Sequence, residues 1–172
     1  MEVSELFFNL YKTPWGEGVL SEREGRIQRI LLPSQPLEHL IRELASDFPD
    51  ESLTPGGEAA GLMAKALERY FSGERVEFPD LLDWSRHTTF QANVAHAAIS
   101  IPRGQTRSYG WLGVQAGSPR AARACGQVMA ANRFPIVIPC HRVLASNGSL
   151  GGFSCGLVWK ERLLALEGCN QR

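Results

Sequence analysis

Phe134-Pro135-Ile136-Val137-Ile138-Pro139-Cys140-His141-Arg142-Val143 is the stretch on which the second half of the chain turns. Its β-branched run, Ile136 to Ile138, predicts an apolar strand that delivers a cysteine at its end, with Pro135 and Pro139 stiffening the approach. Thiolate is the reactive form of cysteine and a free thiol titrates near ~8.5, a value that apolar surroundings raise unless a base compensates. His141 is the candidate base. Neighbours on an extended strand point to opposite faces, so a bridging water or a local turn is needed to connect the two side chains. A carboxylate from the last helix, Glu161 or Glu167, would orient the imidazole. A buried cysteine is often inert filler, but a rigid approach ending beside a histidine and an arginine suits reactivity better than packing.

Upstream, Phe90, Val94, Ala97, Ala98 and Ile101 recur at helical spacing and stop at Pro102-Arg103-Gly104. Residues Ser108 to Ala116 and Ser118 to Ala131 read as two helices joined through Gly117, with Ser118 as N-cap and Pro119 in the first helical position. Helix, tight turn, helix is the shape of a nucleic-acid reader, and this spacing predicts Arg120 and Arg123 in the first turns of the second helix. Ala121, Ala122, Ala124 and Gly126 leave that helix charged but without bulk, free to approach a groove closely. Downstream, Asn147-Gly148 signals a tight turn, and Leu157 to Glu167 a last helix stopped by Gly168.

The first half has another character. Leu6 to Tyr11 and Arg26 to Leu32 read as strands around a Pro14-Trp15-Gly16 turn and a polar segment, Ser21 to Gly25. Leu37, Leu40, Ile41, Leu44 and Phe48 predict one helix, and Ala59, Leu62, Ala66, Leu67 and Tyr70 a second, stopped at Gly73. No catalytic cluster emerges there. The Gly- and Pro-containing stretch Ser72 to Trp84 reads as a linker, so residues 1–83 form an α/β scaffold domain and residues 84–172 a second domain.

Charge sharpens the division. The 172 residues carry 18 basic and 18 acidic side chains, yet residues 1–85 hold 8 basic against 16 acidic while residues 86–172 hold 10 against 2. Net charges of −8 and +8 suggest a second domain facing a polyanion. No apolar run approaches the ~18 residues of a membrane span, and acidic Glu2 and Glu5 sit where a secretory signal would be basic, so a cytoplasmic protein is expected. Cys125, Cys140, Cys155 and Cys169 form no Cys-x-x-Cys pair, so no metal site is expected, and all four should be free thiols.

The residues around Cys140 resemble those of the O6-alkylguanine-DNA alkyltransferase family (methylated-DNA–protein-cysteine methyltransferases). The resemblance rests on Pro139-Cys140-His141-Arg142-Val143, with Ile101-Pro102-x-Gly104-x-Thr106-x-Ser108-Tyr109, Pro119-x-Ala121-Ala122-Arg123, Asn132 and Lys160-x-x-Leu163-Leu164-x-x-Glu167-Gly168 around it. It is strong from Phe90 to Gly168 and holds before that only in layout. It implies a small N-terminal α/β domain with an antiparallel sheet, followed by a helical, winged-helix-like DNA-binding domain. The implied activity is direct-reversal repair without a cofactor: an alkyl group moves once and irreversibly from the exocyclic oxygen of guanine in duplex DNA to Cys140, after the nucleotide is flipped out, with alkylated thymine left open. By similarity His141 is the water-linked base, Glu167 its orienting carboxylate, Tyr109 a proton donor to the departing base and Asn132 the brace of the turn before the cysteine. Arg123 is the finger that fills the vacated stack, with Arg120, Ala121, Ala122 and Tyr109 on the DNA. Met129, Val143, Phe153 and Ser154 fall where the family lines its base pocket. A monomer that contacts the minor groove is implied.

Three departures stand out. Phe153 replaces the tyrosine of many members, Cys155 places a second thiol near the pocket, and the first half lacks the cysteines with which some relatives hold zinc. Two other readings stay open on the residues: a binding-only relative, which would carry tryptophan in place of Cys140, and a papain-like hydrolase pairing Cys140 with His87 or His96.

Overall fold

The computed structural model describes residues 5–169. The chain forms two compact units, one up to Asp83 and one from Trp84. The first is built on a four-stranded sheet of order β3-β2-β1-β4, with β1 at Glu5–Thr13, β2 at Gly16–Arg23, β3 at Arg26–Leu31 and β4 at Ser52–Pro55. Strands β1, β2 and β3 are antiparallel. Glu24 and Gly25, with φ of 52° and 73°, form the two-residue β2–β3 turn, a backbone whose twist matches that of the flanking strands. Two differences from the sequence reading appear here. The polar segment at Ser21 is not a break, because β2 runs through it to Arg23. The sheet is also not purely antiparallel, because the short β4 adds to β1 in parallel.

Side-chain alternation along β1 and β2 gives the sheet two covered faces. Leu6 and Val19 pack with Leu31 against Leu40, Leu44 and Phe48, which belong to or follow α1 (Leu37–Asp47). On the opposite face Tyr11 stacks on Phe71 of α2 (Glu58–Phe71) at 6.1 Å, and the absence of a side chain at Gly18 makes room for that tyrosine ring. The first turn of α2 has no side-chain cap of its own; buried Glu22 of β2 accepts the Ala60 N–H instead. Leu62 belongs to the helical repeat yet stands exposed.

The second unit begins with α3 (Thr89–Ile99), opened by a reciprocal capping box between Thr88 and Gln91. A two-residue strand, β5 (Arg107–Ser108), pairs in parallel with β6 (Val143–Leu144). Helices α4 (Tyr109–Gln115) and α5 (Ala122–Ala130) pack together, and α6 (Leu157–Leu166) closes the unit, its chain turning at Gly168 with φ of 79°. The link between α4 and α5 depends on Gly113: the Ser118 N–H donates to its carbonyl at 2.7 Å, and a Cβ there would sit 2.8 Å from the Ser118 oxygen.

Two sequence expectations are corrected in this unit. Helix α5 starts at Ala122 with Ala121 as N-cap, not at Ser118. Ser118 to Ala121 form a separate turn closed by the Ala121 N–H on the Ser118 carbonyl at 2.9 Å, in which Pro119 suits the second position, and Arg120 therefore precedes the helix. The run Phe134 to Arg142 is not a strand either, and only Val143 at its end enters β6. The prolines remove two ladder donors, and the chain instead closes a tight turn, with the Ile138 N–H on the Phe134 carbonyl at 2.9 Å and buried Ile136 at φ of 76°. Cys140 to Arg142 then form a single 3-10 turn.

Candidate active site

Cys140 is only 3% exposed, yet it lies on the wall of a cavity of about 480 Å³. Two segments supply the other walls. Helix α5 gives Ala122, Arg123, Gly126, Met129 and Ala130, and the segment before α6 gives Gly152, Phe153 and Ser154. Tyr109, the first residue of α4, completes the lining. Ser108 accepts the Trp111 N–H at 3.1 Å and so fixes the start of that helix. Gly126 and Gly151 border the tyrosine ring, where an added Cβ would make ordinary contact with it at 3.9 and 3.5 Å.

The turn that replaces the expected strand is held by Asn132. Its Nδ2 donates to the Ile138 carbonyl at 2.9 Å and to Cys140 Sγ at 3.2 Å, and its Oδ1 accepts the Phe134 N–H at 2.9 Å. One amide side chain thus closes the loop and touches the sulfur. Burial pushes the thiol up to about 11 although the Asn132 bond and the charge of Lys160 favour the thiolate. Burial also raises Tyr109, with Cys140 adding to it.

On the other side of the 3-10 turn, His141 is fully buried and its Nε2 meets Glu167 Oε1 at 2.8 Å. Arg142 grips the same carboxylate with two bonds of 2.9 Å, from Nε to Oε2 and from NH2 to Oε1, while its NH1 donates to the Ile101 carbonyl at 2.7 Å. Burial alone would raise the Glu167 carboxyl, but hydrogen bonds and charge from His141 and Arg142 outweigh it and hold the group ionised far below the ordinary carboxylate range. An ionised carboxylate only accepts, so His141 Nε2 carries the proton it shares with Glu167. Burial lowers His141 itself against the opposing pull of Glu167, which keeps the ring neutral at pH 7. The Pro102-x-Gly104 motif finds its reason here. Gly104 turns the chain at φ of 82°, a Cβ would lie 3.2 Å from the Glu167 carbonyl, and Arg103 NH2 donates to the Leu166 carbonyl at 3.0 Å, so the turn clasps the end of α6.

Lys160 is the functional residue that sequence reasoning left without a role. It is fully buried, and its ammonium donates to the carbonyls of Val143 at 2.6 Å, Leu150, and Gly152 at 3.4 Å. One charge therefore gathers the segment whose far end lines the cavity, and burial lowers it to about 8. A single lysine amid the apolar positions of α6 was the signal.

The other expected residues distribute as follows. Met129, Phe153, Ser154, Tyr109, Ala122 and Arg123 line the cavity with Cys140, whereas Arg120 and Ala121 do not. Val143 is not a lining residue: it is wholly buried, and its carbonyl is occupied by Lys160. Arg133 borders a separate hollow with Arg86 and His87. His87 and His96 flank Trp84, at ring distances of 5.1 and 4.7 Å, and neither lines the Cys140 cavity, so the hydrolase pairing has no support. Among the described residues no cluster could hold a metal ion, and no helix is long and apolar enough to cross a membrane.

Residues 89–169 match the family model described as 6-O-methylguanine DNA methyltransferase, DNA binding domain. The methylated-DNA–protein-cysteine methyltransferase of Mycobacterium tuberculosis is 44% identical over 114 residues, 66% of this chain and 68% of that protein. The constitutive enzyme of that name from Bacillus subtilis is 35% identical over 148 residues, 86% of each. Among solved structures, the O6-methylguanine methyltransferase of M. tuberculosis superposes with a TM-score of 0.77 at 33% identity, over 97% of this chain and 95% of that one. The same organism's OGT in complex with DNA gives 0.76 at 33%, over 94% and 92%. Identity at this level over more than two thirds of the relatives' length, together with a like fold across nearly the whole chain, places the protein in the methylated-DNA–protein-cysteine methyltransferase family.

Proposed function

We propose that the protein repairs duplex DNA by direct reversal, moving a methyl or larger alkyl group from the exocyclic oxygen of guanine to Cys140 in one irreversible turnover. The observation that carries this reading is the buried Cys140 sulfur facing a roomy cavity while a neutral histidine, hydrogen-bonded to the Glu167 carboxylate, occupies the next position. The thiol titrates near 11, so a stored thiolate is scarce at pH 7 and the proton must leave during the reaction. His141 takes that proton through a water at Nδ1, its Nε2 proton being directed at Glu167. The sulfur then attacks the alkyl carbon, the carbon–oxygen bond breaks, and its electron pair passes to guanine. The raised Tyr109 hydroxyl keeps its proton at neutral pH and supplies a hydrogen bond to the departing base. The thioether product has no route back, and no cofactor enters.

Access to a base inside a duplex requires extrusion of the nucleotide, at a cost of a few kcal/mol. Arg123 fills the vacated stack in this reading, a role supported by its exposure on the second residue of α5 and on the cavity lip. With Ala122, Ala124 and Gly126 beside it, α5 fits a minor groove, whose degenerate pattern suits repair at any sequence. Arg120 and Ala121, in the turn ahead of the helix, would meet the phosphate backbone. Residues 1–83 serve as scaffold and residues 84–172 as the repair domain, acting as a monomer in the cytoplasm.

The test is the intact mass of the protein after mixing with a duplex that contains methylated guanine. One added methyl, absent from Cys140→Ser, is expected. Lesion binding without a mass gain would instead establish a binding-only protein.

A further inference from the structure

Cys155 is a chemical group that alkyl transfer to Cys140 leaves unused. It sits in the turn Phe153 to Gly156, closed by the Gly156 N–H on the Phe153 carbonyl at 2.9 Å, so Ser154 and Cys155 hold the two central positions. Phe153 and Ser154 line the cavity that holds Cys140, and Cys155 Sγ lies 4.0 Å from Ser154 Oγ. Cys155 is partly exposed, whereas Cys125 is buried within α5 and Cys169 follows the end of α6. A thiolate at Cys155 would oppose ionisation of the Cys140 sulfur. Positive φ at Gly151 (66°) and Gly156 (90°) puts a glycine on either side of the turn, where the backbone pivots most freely. The cavity therefore has one thiol on its wall, and a second directly follows two of its lining residues in a turn bracketed by glycines.

We propose that Cys155 is a second acceptor that captures the far end of a two-ended alkyl adduct, so that the protein closes a thioether bridge onto itself. The inference rests on the alkyl-transfer reading above. For a guanine carrying a chloroethyl group on its exocyclic oxygen, Cys140 attacks the carbon bound to oxygen, and guanine leaves with that electron pair and takes up a proton. Cys140 then carries a chloroethyl thioether. Its sulfur lone pair expels chloride and forms a three-membered episulfonium ring, a strong electrophile held inside the site. Without a second thiol, water or a base of the DNA opens that ring, and the second outcome links protein to DNA covalently. Cys155 opens it instead: its sulfur bonds to a ring carbon, the broken carbon–sulfur pair returns to Cys140, and the thiol proton passes to water. The products are an ethylene bridge between the two sulfurs, chloride and a proton, with no oxidant or reductant consumed. A single added methyl offers no such second step, so Cys155 is idle in methyl transfer.

The experiment uses the full-length protein, kept under dithiothreitol throughout, with two duplexes, one bearing methylated guanine and one chloroethylated guanine. With the first, wild type and Cys155→Ser should both gain one methyl at Cys140. With the second, wild type should gain one ethylene unit less two hydrogens, and a digest should show the Cys140 and Cys155 peptides joined by a link that survives reduction, unlike a disulfide. Cys155→Ser should lose this product and give hydroxyethyl-Cys140 together with more covalent protein–DNA complex. Methyl transfer with identical open products from wild type and Cys155→Ser would overturn the inference and leave the alkyl-transfer reading standing. Absence of methyl transfer would overturn both.

Discussion

Replacing Glu167 by glutamine keeps its shape and removes its charge. The Glu167 side chain is wholly buried, Arg142 beside it is 11% exposed, and His141 is fully buried, so the carboxylate balances a guanidinium that solvent barely reaches. Glutamine can accept through one oxygen only, and its NH2 would point at a donor of either His141 or Arg142. Removing one partner of a buried ion pair costs about 3–5 kcal/mol, and the retained oxygen puts the amide at the lower end, about 3 kcal/mol. A unit of this size loses roughly 4–8 °C of melting temperature per kcal/mol, so a drop of roughly 12–24 °C is expected in the transition of the Cys140-containing unit. The sign of the pH dependence follows from the depressed native pKa. Its stabilisation is complete above the ordinary carboxylate value and is lost as pH falls through that value toward the native one, so the wild-type advantage should hold from pH 6 to 8 and shrink in acid. Transfer should also slow by roughly a hundredfold or more at pH 7, because the histidine loses the anion that orients it and stabilises its protonated form. Denaturation followed by circular dichroism, and single-turnover transfer measured well below the melting point, provide the two readings. A variant within about 1 kcal/mol of wild type that transfers at an unchanged rate would refute the claim that the His141–Glu167–Arg142 cluster organises the site.

Three further outcomes follow. Asn132→Ala removes both bonds that fasten the Cys140 turn and the one that favours the thiolate. It should cost about 1–3 kcal/mol and move the pH dependence of iodoacetamide labelling at Cys140 upward; an unmoved labelling profile would count against the sulfur contact. Lys160→Met deprives three carbonyls of a donor and should slow transfer. Because burial lowers Lys160 to about 8 from an ordinary 10.5, the unfolded chain binds that proton more tightly. Wild type should then gain stability as pH rises through this window, a gain the methionine variant must lack if the assignment is right. Arg123→Ala should slow repair in duplex DNA while sparing reaction with a free alkylated base, and equal losses on both substrates would remove the finger role.

The groups that meet at the candidate site were legible because they are carried by type and local spacing. Cys140, His141 and Tyr109 announce themselves in short motifs, and Glu167 as one of two acids on a helix that ends at glycine. The same local signals misjudged the backbone between them. A β-branched run promised a strand, but two proline nitrogens without hydrogens cannot enter a ladder, and Asn132 offered the chain a tighter alternative. Ser118 and Pro119 had the residue types of a helix start, yet Ser118 binds back to Gly113 and the helix begins four residues later. Strand β4 was invisible because Ser52 to Pro55 is short and its pairing with β1 is remote in sequence.

By itself the sequence determined the chemistry on offer: a thiol beside an imidazole, an arginine-bearing helix free of bulk, and charge divided between an acidic half and a basic one. These follow from composition and spacing, which need no partner distant in the chain. Only the tertiary structure decided what the groups do to one another. It sets Glu167 against His141 and Arg142 across 26 and 25 positions, places the Lys160 charge under the segment that borders the cavity, and brings Cys155 within electrostatic reach of Cys140. Burial and distance fix protonation, and neither exists before the chain has folded.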